Sequence, residues 1–256
     1  MQHRWFLLSV LLVLFSCQGQ KTQRSLTLMT YNVGAFSKYE DNTTSGVAQL
    51  ILNNGASLVA LNELDSCNGR HSAYQVKDLA QALGPDWAYH FARAIPYKGG
   101  AYGNGVVSEK AVSSCQSILL PQLDGSEVRS VAVVETADCV FAATHLDHRS
   151  HDAAMAQMRT INEWFAAHYA GCNKPVFLCG DFNVLPDSDV IAVAQERWTL
   201  LSGTDLTYST KKRSKCIDYI FAFKDAEPVE VMDAQVLVEG TGNLSDHYPV
   251  LVTVKY

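Results

Sequence analysis

The sequence of 256 residues predicts a single domain of mixed α/β or α+β class. Short apolar runs rich in β-branched and aromatic residues alternate along the chain with segments whose apolar residues recur at helical spacing. Hydrophobic residues make up 48% of the chain, which is enough for a packed core, and the length suits one two-sheet domain. The sequence shows no internal repeat, so residues 26–256 are predicted to form one unit.

The N-terminal segment predicts export. A basic start at His3 and Arg4 precedes an apolar segment, residues 6–15, that is too short to span a bilayer as a mature helix. Residues 14–17 resemble a bacterial lipobox, so residues 1–17 are interpreted as a signal peptide with Cys17 as the lipidated residue. Residues 18–25 would then be a polar tether. The alternative is an ordinary signal cleaved nearby, because Phe15 is not the preferred small residue. Both interpretations predict an exported protein, in the first case a membrane-anchored lipoprotein of the periplasm or cell surface.

Polar residues lie next to the predicted strands at comparable points. Residues 26–31 form a strand that leads into Asn32, and residues 57–61 form a strand that leads into Asn62 and Glu63. The others are His145 after residues 140–144, Asp181 after residues 175–179, Asp218 after residues 216–217, and Asp246 with His247 before residues 248–254. The segments 118–120, 128–135 and 139–144 follow one another closely, which predicts antiparallel pairing.

Three helices are predicted between these strands. The first follows Ser45 and ends at Asn53, Asn54 and Gly55, which are favourable residues for a helix end. Residues 75–83 form the second, stopped by a Gly-Pro pair, and residues 150–169 form the longest. The longest helix carries one apolar stripe, which predicts a face packed in the core: Met155, Met158, Ile161 and Phe165.

The polar residues at the strand ends have the chemistry of a metal-assisted phosphoesterase. Carboxylate and amide oxygens bind a hard divalent cation, and imidazoles contact phosphate oxygens. A lone Gly-Asp-Phe-Asn sequence, as at residues 180–183, is common at a strand-to-turn junction because Asp and Asn bond the backbone there. The conjunction of eight residues makes that simple explanation improbable: Asn32, Glu63, His145, Asp181, Asn183, Asp218, Asp246 and His247.

From residue 26 to residue 256 this pattern resembles the endonuclease/exonuclease/phosphatase superfamily, which contains DNase I and exonuclease III. The most specific parts are Gly-Asp-Phe-Asn at residues 180–183 and Ser-Asp-His at residues 245–247, in that order. Residues 91–108 are most similar to secreted bacterial members. The resemblance implies a DNase I-like four-layer α/β/β/α sandwich of two mixed, mainly antiparallel sheets flanked by helices, with a metal site at one edge.

The resemblance also implies roles for individual residues. Asn32, Glu63 and Asp246 would hold Mg²⁺, with Mn²⁺ as a substitute. Asp181 and Asn183 would orient or activate the attacking water, and His145 and the His247–Asp218 pair would act on the phosphate. Asn104, between two glycines, would face the substrate. Two positions depart from the family: Asn62 stands where many relatives have Gln, and Gly34 stands where some nucleases have a carboxylate, which makes a firmly held second metal ion less expected.

A basic run precedes Asp218 and has two interpretations. Lys212 and Arg213 are candidates for a clamp on an anionic substrate group, although a charge run is most often a solvated loop. Arg70 and Arg93 are further candidates for such a clamp. His148 and His151 are expected to be solvated residues at a helix start.

The formal net charge of −6 leaves no chain-wide basic field for binding nucleic acid. The first functional hypothesis is therefore an exported Mg²⁺-dependent phosphodiesterase or phosphatase that acts on a small or lipid-derived substrate as a monomer. The second is an endonuclease or exonuclease of the same mechanism. The third is a binding protein on the same scaffold that has lost catalysis, although no ligand or base is missing from the sequence.

Six cysteines remain once Cys17 is assigned to lipid: Cys67, Cys115, Cys139, Cys172, Cys179 and Cys216. An exported protein could pair them in any of about 15 ways. No Cys-x-x-Cys sequence is present, and several of the six stand in apolar runs. We therefore predict that no cysteine takes part in catalysis.

Overall fold

Two six-stranded sheets stack face to face in the computed structural model, which describes residues 23–256. The predicted signal peptide, the lipidation site Cys17 and the start of the predicted tether lie outside the described residues. Within the described range no helix is long and apolar enough to cross a membrane. The first strand begins at Ser25, directly before the predicted start of the domain at residue 26.

Each sheet contains six strands. The first sheet has the order β11-β12-β1-β2-β4-β3 and comprises β1 (Ser25–Asn32), β2 (Leu58–Ser66), β3 (Ala88–Tyr97), β4 (Gly100–Ser108), β11 (Glu230–Val236) and β12 (Val250–Lys255). The second has the order β5-β6-β7-β8-β10-β9 and comprises β5 (Val112–Leu119), β6 (Ser130–Thr136), β7 (Val140–His145), β8 (Val176–Asp181), β9 (Trp198–Leu200) and β10 (Asp218–Phe223).

Each sheet is mixed in the same way. One central pair is parallel, β1 with β2 and β7 with β8, and the other named pairs are antiparallel. Parallel neighbours end at the same edge of a sheet, so the C-terminal ends of β1 and β2, and of β7 and β8, bring their following residues together.

Four α-helices cover the outer faces: α1 (Thr44–Asn53), α2 (Gln75–Leu83), α3 (His151–Tyr169) and α4 (Asp189–Arg197). Helices α1 and α2 pack on the first sheet, where Ile51 and Leu79 join its buried residues, and α3 packs on the second through Met158 and Phe165. A third apolar cluster fills the space between the sheets. The predicted α/β/β/α sandwich of two mixed sheets is confirmed.

Sequence periodicity identified the buried elements better than the exposed ones. Helix α2 has the predicted bounds, and α3 begins one residue after Ser150, whose side chain accepts from the Ala153 amide as an N-cap. Strands β5 and β11 are edge strands whose residues are almost all exposed, so they lack the apolar alternation that predicts a strand. For that reason the sequence indicated only the end of β5 and did not indicate β11.

The six cysteines of the described residues are free thiols. Cys139, Cys179 and Cys216 are buried, and burial raises the pKa of the Cys139 thiol to about 12. A thiol of that pKa is protonated at neutral pH and is a weak nucleophile.

A buried carboxylate fixes the loop between β7 and α3. Asp147 Oδ1 accepts hydrogen bonds from the amides of Arg149 and Ser150 at 2.8 and 2.7 Å, and its Oδ2 accepts from the Glu127 amide at 2.6 Å. Burial raises the pKa of the Asp147 carboxyl, but these backbone donors outweigh it and hold the pKa below its usual value. The ionised form is therefore preferred in the folded protein.

We expect Asp147→Asn to lower the free energy of unfolding by about 1–3 kcal/mol at pH 7, because an amide cannot accept from all three donors. The folded pKa is depressed, so this stabilisation is complete above the unfolded value of about 3.9 and is lost as the pH falls through the folded value. Urea unfolding at several pH values measures it. The difference from the parent should shrink below about pH 4. The exposed Asp124→Asn is the matched control, and a difference that persists unchanged at low pH would contradict the assignment.

Candidate active site

The polar residues at one end of the two sheets continue the inward-facing register of the core. Side chains alternate along a strand, so residues two apart share a face. In β1 the buried Leu28 faces the second sheet and Asn32 follows it in the same register, as Asn62 follows Leu58 in β2. The same alternation places five more polar residues on the inner faces: Asn104, Ser130, His145, Asp181 and Asp218.

Asn32 bridges the two sheets. Its Nδ2 donates to Glu63 Oε1 and to Asp181 Oδ2, both at 3.1 Å, and its Oδ1 accepts from the Gly34 amide at 3.1 Å. Ser245 Oγ donates to the Asn32 carbonyl at 2.6 Å, which fixes the residue from behind. The Asn32 carboxamide is fully buried. Its two hydrogen bonds therefore orient the carboxylates of Glu63 and Asp181.

Asn62 forms a second bridge. Its Nδ2 donates to Thr144 O at 2.8 Å and to Asn104 Oδ1 at 3.1 Å, and its Oδ1 accepts from the Asp181 amide at 3.0 Å. Asn104 Nδ2 in turn donates to Ser130 O at 2.9 Å. We call the carboxamides of Asn32, Asn62 and Asn104 the carboxamide bridge. It fixes the position of Asp181 relative to the first sheet.

Glu63 leaves the alternation of β2. The register of β2 against β4 shifts between Leu61 and Leu64, and Glu63 has a φ of +61°, a conformation that non-glycine residues rarely adopt. The bulge directs the Glu63 side chain into the cavity, where it makes no ion pair within 4.0 Å with any residue that the structure describes. Strained backbone of this kind is typical of functional positions.

The donor set beside Glu63 suits a hard divalent cation. Asp246 also lines the cavity, and both groups offer carboxylate oxygens, the ligands that Mg²⁺ prefers. Lys38 Nζ lies 2.7 Å from Asp246 Oδ2, so one of these carboxylates already has a cationic partner. Asp181, Asp218 and His247 form a second group whose ligand atoms lie within 4.8 Å of one another.

Asp181 lies between two imidazoles. Its Oδ2 is 3.5 Å from His145 Nε2 and 3.6 Å from His247 Nε2. His247 Nδ1 lies 2.9 Å from Asp218 Oδ2, which also accepts from Thr207 Oγ1 at 2.6 Å. The carboxylate of Asp218 therefore fixes the His247 tautomer, with Nε2 directed toward Asp181.

The two imidazoles favour opposite protonation states. Burial lowers the pKa of His247, but the carboxylates of Asp218 and Asp181 outweigh it and raise the pKa to about 10. Burial and the nearby Arg129 guanidinium hold the pKa of His145 well below its usual value. Burial, followed by the Asp218 charge, raises the pKa of Asp181. These shifts favour a cationic His247 and a neutral His145 at neutral pH, and they increase the basicity of the Asp181 carboxylate.

The backbone around Asp181 positions its neighbours. Gly180 has a φ of +147°, and a Cβ there would clash with the Thr144 carbonyl of β7. Asn183 has a φ of +56°, a left-handed conformation that Asn tolerates. The Asn183 amide donates to Asp181 Oδ1 at 2.9 Å, and Nδ2 donates to Leu146 O at 3.0 Å.

A cavity of about 690 Å³ opens at this end of the sheets. Six of the eight residues of the phosphoesterase pattern line it: Glu63, His145, Asp181, Asn183, Asp246 and His247. Asp218 and Asn32 lie directly behind them and bond to them. The volume is in the range of small-molecule sites.

Three predicted substrate contacts are not at the cavity. Asn104 is 2% exposed and belongs to the carboxamide bridge, and the Gly103 backbone beside it closely approaches Ala92 of β3 rather than a ligand. Lys212 is exposed outside the cavity, and the Arg213 guanidinium donates to Leu206 O at 3.1 Å. From the basic run only Lys215 lines the cavity.

The cavity also contains residues for which the sequence gave little signal. Lys38 follows a 3-10 turn, Gly34–Phe36, whose three residues all have positive φ. Arg129 is buried directly before β6, inside the predicted strand of residues 128–135, and the sequence gave it no functional role. His148, expected to be solvated, is half exposed and lies 3.0 Å from Arg129 Nη2, whereas His151 is exposed at the start of α3.

Comparison with known proteins supports this arrangement. Residues 29–247 match the model of the "Endonuclease/Exonuclease/phosphatase family". An endonuclease/exonuclease/phosphatase from Beutenbergia cavernae matches with a TM-score of 0.73 and 21% identity, over 91% of this chain and 72% of that one. The mannosyl-6-phosphatase Bt3783 of Bacteroides thetaiotaomicron matches with a TM-score of 0.73 and 18% identity, over 90% and 100%.

A third solved structure, ANGEL2, described as a 2',3'-cyclic phosphatase, matches with a TM-score of 0.69 and 14% identity, over 91% of this chain and 95% of that one. No curated protein matches the sequence. At these identities the likeness to the solved structures establishes the fold.

We expect Asn104→Ala to lower the free energy of unfolding by about 1–3 kcal/mol, because Asn62 and the Ser130 carbonyl would each lose a buried hydrogen-bond partner. The KM for any accepted phosphate ester should change less than about threefold, since the side chain does not reach the cavity. Thermal unfolding and steady-state kinetics measure the two effects. A large rise in KM without loss of stability would restore Asn104 as a substrate contact.

Proposed function

The chain belongs to the endonuclease/exonuclease/phosphatase family, and on that premise we propose that it is a divalent-metal-dependent hydrolase of small phosphate esters. One observation carries the proposal: the buried Asp181 lies within 3.6 Å of two imidazoles in a cavity that also contains the carboxylate of Glu63, which has no ion-pair partner among residues 23–256. Such an arrangement provides a base, two phosphate contacts and a cation ligand in one place.

Glu63 and Asp246 would hold the metal ion, with the Asn32 amide holding the Glu63 carboxylate in place at 3.1 Å. Mg²⁺ prefers a few carboxylate oxygens and retains several waters, and a donor set of two carboxylates fits that preference. When bound, the ion would neutralise charge on the phosphate. Mn²⁺ has similar oxygen ligands and would substitute for it.

Asp181 would orient and deprotonate the attacking water. Its raised pKa brings the basicity of the carboxylate closer to neutral pH, where a general base is most effective. The backbone amide of Asn183 donates to Oδ1 at 2.9 Å, and the side-chain amide of Asn32 donates to Oδ2 at 3.1 Å. The carboxylate therefore has a fixed orientation. Positioning of this kind contributes much of the rate in phosphoryl transfer.

His247 would donate a hydrogen bond from Nε2 to a phosphoryl oxygen, because its ion pair with Asp218 keeps the ring protonated. His145 remains neutral and would contact the phosphate through one nitrogen. Preorganised donors of this kind stabilise the charge that develops in the transition state.

A small substrate fits the charge and shape of the protein. The net charge of −6 provides no chain-wide basic field for nucleic acid, and the cavity has the volume of a small-molecule site. Among the structural neighbours, one is named a mannosyl-6-phosphatase. We therefore place a phosphorylated sugar or another small polar phosphate ester first.

We also propose that the protein is an exported lipoprotein anchored through Cys17, on the basis of the apolar segment at residues 6–15 and the lipobox-like residues 14–17. Metabolic labelling with palmitate tests this proposal. The label should appear in the parent and be absent from Cys17→Ala. Equal labelling of both would contradict it.

The functional proposal is tested with a panel of sugar phosphates, inositol phosphates, phospholipids and plasmid DNA, each assayed with Mg²⁺, Mn²⁺ or EDTA. Metal-dependent release of phosphate from a small ester supports the proposal. Cleavage of plasmid DNA in preference to every small ester would favour a nuclease. The absence of hydrolysis with all substrates would favour a binding protein.

We expect Asp181→Asn and His247→Ala each to lower kcat by at least about 100-fold with a modest effect on KM, because both groups act mainly on the transition state. Steady-state kinetics on the best substrate of the panel measures both constants. Retention of near-parental kcat in either variant would remove that residue from the catalytic group.

Lys215 replaces Lys212 and Arg213 as the proposed contact of the basic run. We expect Lys215→Ala to raise KM by at least about threefold and to weaken its salt dependence, with kcat largely unchanged, because a remote charge binds ground and transition states alike. Lys212→Ala is the matched control outside the cavity. An identical response to salt in the two variants would show that the run is only a surface loop.

A further inference from the structure

The cavity extends beyond the proposed catalytic residues along the side of β2 and β4. Its wall there is formed by Arg70, Tyr97 and Tyr102, with Ile95 beside them. We call this part of the cavity the Arg70 arm. None of its residues has a role in the proposed hydrolysis, and Arg70 was only one of several candidate cations in the sequence.

Arg70 is held in one orientation by a buried carboxylate. Its Nε and Nη2 donate to Asp65 Oδ2 and Oδ1 at 2.7 and 2.8 Å, and His71 Nδ1 lies 2.6 Å from the same carboxylate. Bidentate pairs of this kind fix the plane of a guanidinium. The Nη1 group makes no hydrogen bond to any residue that the structure describes. It therefore remains available as a donor.

The Arg70 guanidinium faces the cavity, and the Asp65 carboxylate does not. The Asp65 side chain is fully buried, whereas the Arg70 side chain is 37% exposed and lines the cavity wall. A ligand in the arm therefore meets the guanidinium directly and meets the carboxylate only through it.

Two tyrosine rings complete the arm. The guanidinium carbon of Arg70 lies 5.2 Å from the centre of the Tyr97 ring and 5.7 Å from that of Tyr102, distances at which cation and ring attract. The rings restrict the guanidinium further, and their planes are inclined to one another by 55°. Aromatic faces of this kind pack against the carbon face of a sugar or other small ring.

The arm borders the same space as Glu63. Asp65 is paired in register with Tyr102 and follows Glu63 by two positions along β2. Arg70 and Glu63 both line the cavity, so the arm continues the space beside the proposed metal ligand.

We propose that the Arg70 arm binds a second anionic group, a phosphate or a carboxylate, on the part of the substrate that is not hydrolysed. The inference rests on the proposed phosphoesterase function and names its substrate class: small polar phosphate esters that carry a second anionic group. A guanidinium with a free amino group is suited to both anions.

Three substrates that differ in the group opposite the 6-phosphate test the arm: glucose 6-phosphate, glucose 1,6-bisphosphate and 6-phosphogluconate. The parent should have a kcat/KM at least about tenfold higher for glucose 1,6-bisphosphate, for 6-phosphogluconate or for both than for glucose 6-phosphate. That factor is the usual effect of a charge-assisted hydrogen bond. The bisphosphate tests a phosphate in the arm, and the gluconate tests a carboxylate.

Arg70→Gln should reduce the preference by about the same factor. Arg93→Gln, an exposed arginine on β3 outside the cavity, is the matched control and should keep it.

Two further variants address the loss of the Asp65 partner in Arg70→Gln. Arg70→Lys retains the charge but not the fork, and Tyr97→Ser leaves the Arg70–Asp65 pair intact. We expect each to lower the preference by at least about threefold, since each removes part of the guanidinium orientation. Melting temperatures identify any variant that has not folded, and the conclusion then depends on the other two.

Calorimetric titration of glucose 1,6-bisphosphate and of 6-phosphogluconate in EDTA separates this inference from the hydrolytic proposal. Tighter binding to the parent than to Arg70→Gln supports the arm even when no ester is hydrolysed, a result that would overturn only the proposed function. Equal binding of both compounds to the parent and to Arg70→Gln overturns the arm, as does a parent enzyme that shows no preference over glucose 6-phosphate.

Discussion

The site depends on three buried carboxamides that join the two sheets. Asn32, Asn62 and Asn104 extend the inward-facing register of their strands and bond to backbone and carboxylate groups of the opposite sheet. A buried amide is costly unless its hydrogen bonds are made, and these bonds are made only when the sheets have one relative position. The requirement that stabilises the sandwich therefore also sets the distance between Glu63 on one sheet and Asp181 on the other.

Charge compensation within the cavity follows from this geometry. Asp181 and Asp218 are both buried on the second sheet, and two buried carboxylates repel one another unless a cation or a proton is shared. His247 supplies that cation to Asp218, while Asp181 keeps neutral amide donors and an increased basicity. Glu63, on the first sheet, is left with an amide donor and no ion pair among the described residues. The remaining uncompensated charge thus lies where a divalent cation is expected.

The sequence indicated the polar residues at the strand ends, Glu63 and Asn183 among them, but not the backbone conformations that position them. Strands ending at Asn32, His145 and Asp181 were visible because apolar runs end there. The bulge that turns Glu63 into the cavity, and the contact of Lys38 with Asp246, depend on positive-φ backbone that no residue pattern indicated. Asn104 was assigned to substrate because its flanking glycines indicate a close approach, and the approach is to a neighbouring strand. Lys215 lines the cavity and Lys212 does not. This difference depends on the course of the loop that carries both residues, which the sequence does not indicate.

The central claim is that Glu63, on the bulge in β2, and Asp246, in the loop before β12, hold the cation. The group formed by Asp181, Asp218 and His247 then acts in acid–base chemistry and does not bind the ion. Calorimetric titration of Mn²⁺ into the parent, Glu63→Gln and Asp218→Asn tests it directly. The account predicts one bound ion in the parent, at least about tenfold weaker binding in Glu63→Gln, and near-parental affinity in Asp218→Asn. Unchanged affinity in Glu63→Gln together with lost binding in Asp218→Asn would contradict the account and place the ion between Asp181, Asp218 and His247.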